Sequence, residues 1–163
     1  NINLHIMKFL KKILLLLFLA FVIAQFFGPE KNQGNLASIE PFLVETNPPE
    51  DVKLVLKTAC FDCHSDYTSY PWYNNITPVN YWMAGHVDHG KEELNFSNWS
   101  NYSLKRKDRK LDEVIELVEK REMPLNSYTW THNDAKLTDK QINNIVSWAS
   151  SVREEYSKNK PVQ

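Results

Sequence analysis

The sequence predicts an all-α protein, in which an N-terminal membrane helix precedes a helical domain. Three observations predict this fold class. Glycine is rare, at 4 of 163 residues. Several segments carry apolar residues at helical spacing on one face, with charged residues between them. An apolar run from Ile13 to Phe27, broken only by Gln25, follows a group of lysines near the start of the chain.

The N-terminal run has the pattern of a signal sequence. Lys8, Lys11 and Lys12 form a positive region ahead of the apolar run. About 15 helical residues cover roughly 22 Å, less than the ~30 Å hydrocarbon core. The length therefore leaves open a signal peptide cleaved after Ala24 or an uncleaved signal-anchor over residues 1–28. The lysines stay inside, so we expect a single-pass protein of the bacterial cytoplasmic membrane with its remainder on the periplasmic, outer side.

Composition bounds the rest of the chain. Residues 29–49 are polar and proline-containing and predict an extended tether, and residues 50–157 are long enough for one domain with one core. Outside the first 28 residues, 16 Lys and Arg stand against 20 Asp and Glu, a formal charge of −4 that gives no indication of nucleic-acid binding. Four helices are predicted, beginning near Glu50, over 79–93, over about 107–121, and from a capping box at Thr138 and Gln141.

The motif Cys60-Phe61-Asp62-Cys63-His64 indicates the chemistry of this domain. Two thiols one helical turn apart can both add across the vinyl groups of one porphyrin edge, and the next histidine can then bind the iron. The chain has only two cysteines, and both lie here. The motif predicts one covalent haem c, with Cys60 and Cys63 as attachment sites and His64 as the proximal iron ligand.

Three other interpretations of the cysteine pair remain open. The pair could be a thioredoxin-like redox site, although no βαβ pattern surrounds it. It could be half of a zinc site completed by His86 and His89. A structural disulfide would leave His64 unexplained.

The second axial ligand of the iron has several candidates. Met123 lies in a loop stiffened by Pro124, just past the third predicted helix, and a methionine opposite a histidine raises the reduction potential. Met123 could also be ordinary core filler. The alternatives to it are Met83, His86, His89, His132 and an open position.

Several separated segments resemble one family in the same order: Thr58 to Ser65, Tyr70-Pro71-Trp72-Tyr73, Leu94 to Trp99, and Glu122-Met123-Pro124. They resemble the small bacterial haem-binding domain family, whose members are cytochrome c-like, usually membrane-anchored, and carry one Cys-x-x-Cys-His. The resemblance runs from about Gln25 to about Ala149. It implies attachment at Cys60 and Cys63, His64 as proximal ligand and Met123 as distal ligand, and it favours an uncleaved anchor. Leu125 departs from the family, where a second proline commonly follows Met-Pro.

Two classes of function follow from a haem in such a domain. The first is a monohaem electron carrier that serves larger redox proteins at the outer face of the membrane and is not an enzyme. The second is a haem-based redox or gas sensor, or a small peroxidase-like enzyme, with a displaceable distal ligand. The sequence shows no recognisable Arg/His pair of the kind a peroxidase-like distal site would use, which favours the carrier. The basic run from Lys105 to Lys110 is either a solvated helix face or a docking patch for an acidic redox partner.

Overall fold

Every regular element of the described chain is helical. The computed structural model describes residues 2–158, with side chains from residue 5 onwards. Its α-helices are α1 (Ile2–Ala24), α2 (Glu40–Thr46), α3 (Glu50–Ala59), α4 (Phe61–His64), α5 (Val79–Glu93), α6 (Leu104–Glu119), α7 (Asn126–Thr129) and α8 (Asp139–Lys158). Shorter 3-10 helices lie at Leu36–Ile39, Trp72–Asn75, Phe96–Asn101 and Asn133–Ala135. The all-α part of the predicted fold class agrees with this structure.

The prediction of an N-terminal membrane helix is wrong. The segment is helical as α1, but no helix among the described residues combines the length and the apolar character that a membrane crossing requires. The physical reason is that Lys8, Lys11 and Lys12 divide α1, so its uninterrupted apolar part, residues 13–24, is only about 18 Å long. The same finding contradicts the predicted single-pass placement in the bacterial cytoplasmic membrane with a periplasmic domain.

The described residues form two compact units, one of residues up to 31 together with 69–86, the other of 32–68 together with the chain from 87 onwards. In the first unit the side-chain amide of Gln25 pairs with the backbone of Thr77. Its Nε2 donates to the Thr77 carbonyl at 3.1 Å, and its Oε1 accepts from the Thr77 N–H at 2.9 Å. This exchange ties the residue after α1 to the turn before α5.

The second unit is built around an aromatic core. The ring of Phe42 lies 4.4 Å from that of Phe96, 5.1 Å from Trp99 and 6.1 Å from Trp148. Trp148 also donates its Nε1–H to the carbonyl of Thr46 at 2.9 Å. Helix α6 packs along α8, and Leu111 and Ile145 are fully buried there.

Residues 29–49, for which an extended tether is predicted, contain helix α2. Pro41 stands in the first turn of α2, where its missing N–H costs nothing and its fixed φ suits a helix start. Phe42, the next residue, is 0% exposed. Pro41 therefore lies at the start of a helix in this segment, and Ile39 and Phe42 belong to the core.

Two helix starts illustrate what the local sequence decides. The predicted capping box is present: the Thr138 N–H donates to Gln141 Oε1 at 2.9 Å, and the Gln141 N–H donates to Thr138 Oγ1 at 3.3 Å. Helix α6 begins at Leu104, earlier than predicted, because Ser103 Oγ accepts from the Arg106 N–H and caps it.

Candidate functional site

The Cys-x-x-Cys-His motif forms the end of α3 and the single turn of α4. The N–H groups of Cys63 and His64 both donate to the carbonyl of Cys60, at 3.2 and 3.0 Å. Phe61 is buried on the core side of this turn, with its ring 5.5 Å from that of Phe96. The turn therefore brings Cys60, Cys63 and His64 together, as the sequence predicts, and leaves all three partly exposed.

Both cysteines are free thiols. Burial, with the neighbouring Cys63, raises the pKa of Cys60 to about 12. Burial and the charge of Asp62 raise the pKa of Cys63 to about 11. Each sulfur is therefore protonated at neutral pH. A thioredoxin-like site works through a thiolate of lowered pKa, so the structure does not support that alternative.

The zinc alternative has no support either. Among the described residues, no group of three or more His, Cys, Asp or Glu side chains could hold a metal ion. A zinc site needs four such ligands at tetrahedral positions. The alternative of a zinc site completed by His86 and His89 therefore finds no support among the described residues.

His64 is held in one orientation by two backbone carbonyls. Its Nδ1 lies 2.9 Å from the carbonyl oxygen of Gly90 and 2.9 Å from that of Leu94. Carbonyl oxygens only accept hydrogen bonds, so Nδ1 carries the proton and Nε2 keeps its lone pair. Burial lowers the pKa of His64, which favours the neutral ring. The result is an imidazole with a fixed tautomer and a nitrogen available for a metal.

The last turn of α5 can reach the motif because residue 90 is glycine. A Cβ at Gly90 would lie 2.6 Å from the carbonyl oxygen of Cys63 and 3.1 Å from its Cβ. The sequence analysis did not find Gly90 or Leu94 as functional residues. A signal for Gly90 exists, since glycine inside a helix costs about 1 kcal/mol and needs a packing reason.

A polar cluster fixes this turn of α5 to the segment after His64. Lys91 Nζ lies 2.9 Å from Asp66 Oδ1, and it donates to Asn32 Oδ1 at 2.9 Å. Asn95 Nδ2 also donates to Asp66 Oδ1 at 2.9 Å. Burial acts to raise the pKa of Asp66, but the hydrogen bonds from Asn95 and Lys91 outweigh it and lower that pKa. The cluster thus keeps the two carbonyls in place around His64.

Comparison with known protein families shows to which family the chain belongs. A family model described as a haem-binding domain matches residues 19–151, most of the chain. The chain belongs to the haem-binding domain family. This confirms the resemblance drawn from the sequence motifs. No curated protein matches the chain, and no solved structure does.

The motif of this haem-binding domain fits its cofactor. Two unpaired thiols one turn apart suit the two vinyl groups of one porphyrin edge. The lone pair on His64 Nε2 suits an axial iron position, and the Nδ1–H bonded to carbonyls is the usual support for a histidine ligand. The residues that would hold a haem are therefore Cys60, Cys63 and His64.

Met123 follows a helix end that determines its backbone position. Arg121 has a φ of 55° at the end of α6. Its N–H donates to the Val118 carbonyl at 3.1 Å, and the Glu122 N–H donates to the Leu117 carbonyl at 2.9 Å. This is a Schellman motif with arginine in the usual glycine position. Met123 itself is partly buried in the second unit, and its role as distal ligand stays a prediction.

The alternative distal candidates have varied surroundings. Met83 and His86 belong to the first unit, where His86 Nδ1 lies 2.8 Å from the Trp82 carbonyl. His89 is exposed on α5. The ring of His132 stacks on that of Tyr128, with centroids 4.0 Å apart and planes at 9°.

The basic run at the start of α6 is largely engaged within the domain. Lys107 Nζ lies 2.6 Å from Glu45, and Arg109 Nε lies 3.6 Å from Glu113. The guanidinium of Arg106 lies over the ring of Tyr102 at 4.1 Å. Lys105, Arg106 and Arg109 are nevertheless exposed, so the solvated helix face and the docking patch for an acidic partner both stay predictions.

Proposed function

We propose that this haem-binding domain holds one haem c through thioether bonds to Cys60 and Cys63 and acts as a monohaem electron carrier for larger redox proteins. His64 supplies the proximal nitrogen to the iron, and Met123 supplies the distal sulfur. The observation that carries the proposal is the pair of carbonyls on His64 Nδ1, because it leaves Nε2 free for iron beside two unpaired thiols.

The two cysteines need no oxidant for attachment. Each thiol adds its sulfur to one carbon of a vinyl group and its proton to the other carbon. Both thiols carry this proton at neutral pH, because the pKa of each is raised. They lie on one turn because Cys63 N–H bonds back to the Cys60 carbonyl. Thioether bonds to both cysteines would attach the haem to the turn that carries His64.

The chain's contribution to electron transfer is rigidity. When bound, haem supplies an iron centre that changes by one electron. His64 is held by Gly90 and Leu94, and the turn that carries it is anchored through Phe61 to Phe96. Ligands held in this way move little between oxidation states. A methionine at the distal position raises the potential and occupies the site that a gas or peroxide would need.

The first test of this proposal is the state of the haem. The full chain, produced with a c-type haem maturation system, should stay coloured after denaturation and acid–acetone extraction. Its pyridine adduct should show two thioether bonds, and Cys60→Ala and Cys63→Ala should each leave one. Colourless protein with stoichiometric zinc would contradict the proposal.

The second test separates a carrier from a sensor or peroxidase. A carrier with His64 and Met123 on the iron should give a fast, reversible one-electron voltammogram and bind carbon monoxide slowly when reduced. Rapid binding of carbon monoxide to the unmodified protein, or turnover of peroxide, would favour the alternative with a displaceable distal ligand.

A further inference from the structure

Lys110 is a buried cation in α6. It is 5% exposed, which is rare for lysine unless the charge is paired. Its Nζ lies 2.5 Å from Glu113 Oε2 and 3.5 Å from Glu93 Oε2. The haem attachment described above does not use this group.

The ammonium group of Lys110 lies beside the turn that holds His64. Glu93 is the last residue of α5, and the next residue, Leu94, offers its carbonyl to His64 Nδ1 at 2.9 Å. Lys110 is therefore linked through the Glu93 carboxylate to the chain segment whose next carbonyl holds the imidazole.

The two carbonyls that hold His64 make its imidazole electron-rich. Both carbonyls on Nδ1 come from the C-terminal end of α5, the negative end of the helix dipole. Hydrogen bonds from Nδ1–H to such acceptors raise the basicity of a histidine ligand. They favour oxidised iron and lower the reduction potential. A positive charge near the iron favours the reduced state, and the ammonium of Lys110 offsets part of the negative charge of Glu113 and Glu93.

We infer that Lys110 raises the reduction potential of the haem, because its ammonium offsets the negative charge of Glu93 and Glu113 next to the carbonyls that hold His64. Lys110 is a positioning and tuning residue that does not bind iron. The inference rests on the proposed function in one respect, the assignment of His64 as the iron ligand.

The test compares midpoint potentials of haem-loaded variants. Lys110→Met keeps an unbranched side chain and leaves Glu113 and Glu93 hydrated, since their side chains are 41% and 63% exposed. Its potential should fall below that of the parent. Lys110→Arg keeps the charge and should stay close to the parent. Lys105→Met removes the same charge from an exposed position of the same helix, and its shift should be much smaller.

A further variant separates the charge of Lys110 from its contact with Glu93. Glu93→Gln removes a negative charge from the cluster and should raise the potential if charge is what matters. A fall with Glu93→Gln, as with Lys110→Met, would show that Lys110 only tethers α5 and would overturn the inference. A shift in Lys110→Met no larger than in Lys105→Met would overturn it too.

The parent protein distinguishes failure of this inference from failure of the proposed function. Covalent haem that loses its normal axial ligation in His64→Ala would support the function independently of Lys110. If the parent shows no such haem, the proposed function fails, whatever the lysine variants do.

Discussion

The hydroxyl of Tyr128 donates a hydrogen bond to Oδ2 of Asp62 over 2.8 Å, and it lies 3.3 Å from the carbonyl of Thr58. Asp62 stands between the two cysteines of the motif, and Tyr128 belongs to α7, shortly after Met123. The bond therefore joins the loop of the proposed distal ligand to the turn of the attachment residues. Burial, together with the charge of Asp62, raises the pKa of Tyr128, so the hydroxyl remains a donor.

Tyr128→Phe should loosen the loop that carries Met123. We expect the free energy of unfolding to fall by about 1–2 kcal/mol and covalent haem to be retained. The far-red absorption band of methionine-coordinated iron should weaken, and carbon monoxide should bind faster. Tyr156→Phe is the matched control, because its hydroxyl donates to Glu45 at 2.6 Å in another part of the domain. It should lose similar stability with no spectral change. Equal spectra for the two variants would contradict the role of Tyr128.

Met123→Ala tests the distal ligand directly. Covalent haem should remain, because attachment depends on Cys60, Cys63 and His64. The Met–iron band should disappear, the reduction potential should fall, and carbon monoxide or cyanide should bind faster, since a thioether opposite histidine raises the potential and blocks the site.

The controls for Met123→Ala are Met83→Ala and His86→Ala, which should leave these properties nearly unchanged. The opposite pattern would identify different iron ligands. If Met123→Ala keeps its spectrum while His86→Ala or His89→Ala loses six-coordination, the iron has two histidine ligands and the assignment of Met123 is wrong.

Gly90→Ala should disturb the proximal side of the site. The added Cβ would lie 2.6 Å from the Cys63 carbonyl oxygen, and crowding of this kind costs about 1–3 kcal/mol. We expect a lower yield of covalent haem and a lower unfolding temperature. Gly85→Ala is the control on the same helix, where a Cβ meets nothing within 4 Å. It should be neutral or stabilising by up to about 1 kcal/mol. Equal haem yields in the two variants would contradict the close approach.

Acid should weaken the link between α2, α6 and α8. Burial acts to raise the pKa of Glu45, but hydrogen bonds from Lys107 and Tyr156 lower it below the ordinary 4.5. A carboxyl with a lowered folded-state pKa stabilises the fold above its unfolded value, and that contribution is lost as pH falls through the folded value. Urea unfolding of the haem-loaded protein should therefore show stability falling below about pH 4.5. Glu45→Gln should flatten this slope, and an unchanged slope would exclude Glu45 as a source.

How much the sequence predicts depends on how local the cause is. The capping box at Thr138 and the turn of Cys60 to His64 depend on neighbours within a few residues, and both are present as predicted. The carbonyls of Gly90 and Leu94 lie 26 and 30 residues from His64 along the chain. No periodicity encodes such a contact.

Two segments differ from the prediction, the first for a non-local reason and the second for a local one. The prolines of residues 29–49 predict an extended segment, yet Pro41 suits the first turn of a helix. Phe42 packs against α8 and against the 3-10 helix Phe96–Asn101, which are distant in sequence. In α1 the apolar run predicts a membrane helix, but Lys8, Lys11 and Lys12 lie in the same helix and shorten its uninterrupted apolar part.

The burial of Phe42 limits where the second unit can be cut. A fragment that begins at residue 50, at the first residue of α3, would lack this ring and leave a void between Phe96, Trp99 and Trp148. It would also lack Asn32, which donates from Nδ2 to the Ser65 carbonyl and to Thr68 Oγ1 at 2.9 Å each. Those contacts hold the chain segment that follows His64 in place. The shortest fragment that keeps these contacts therefore begins upstream of Asn32, well before the first helix that carries a cysteine.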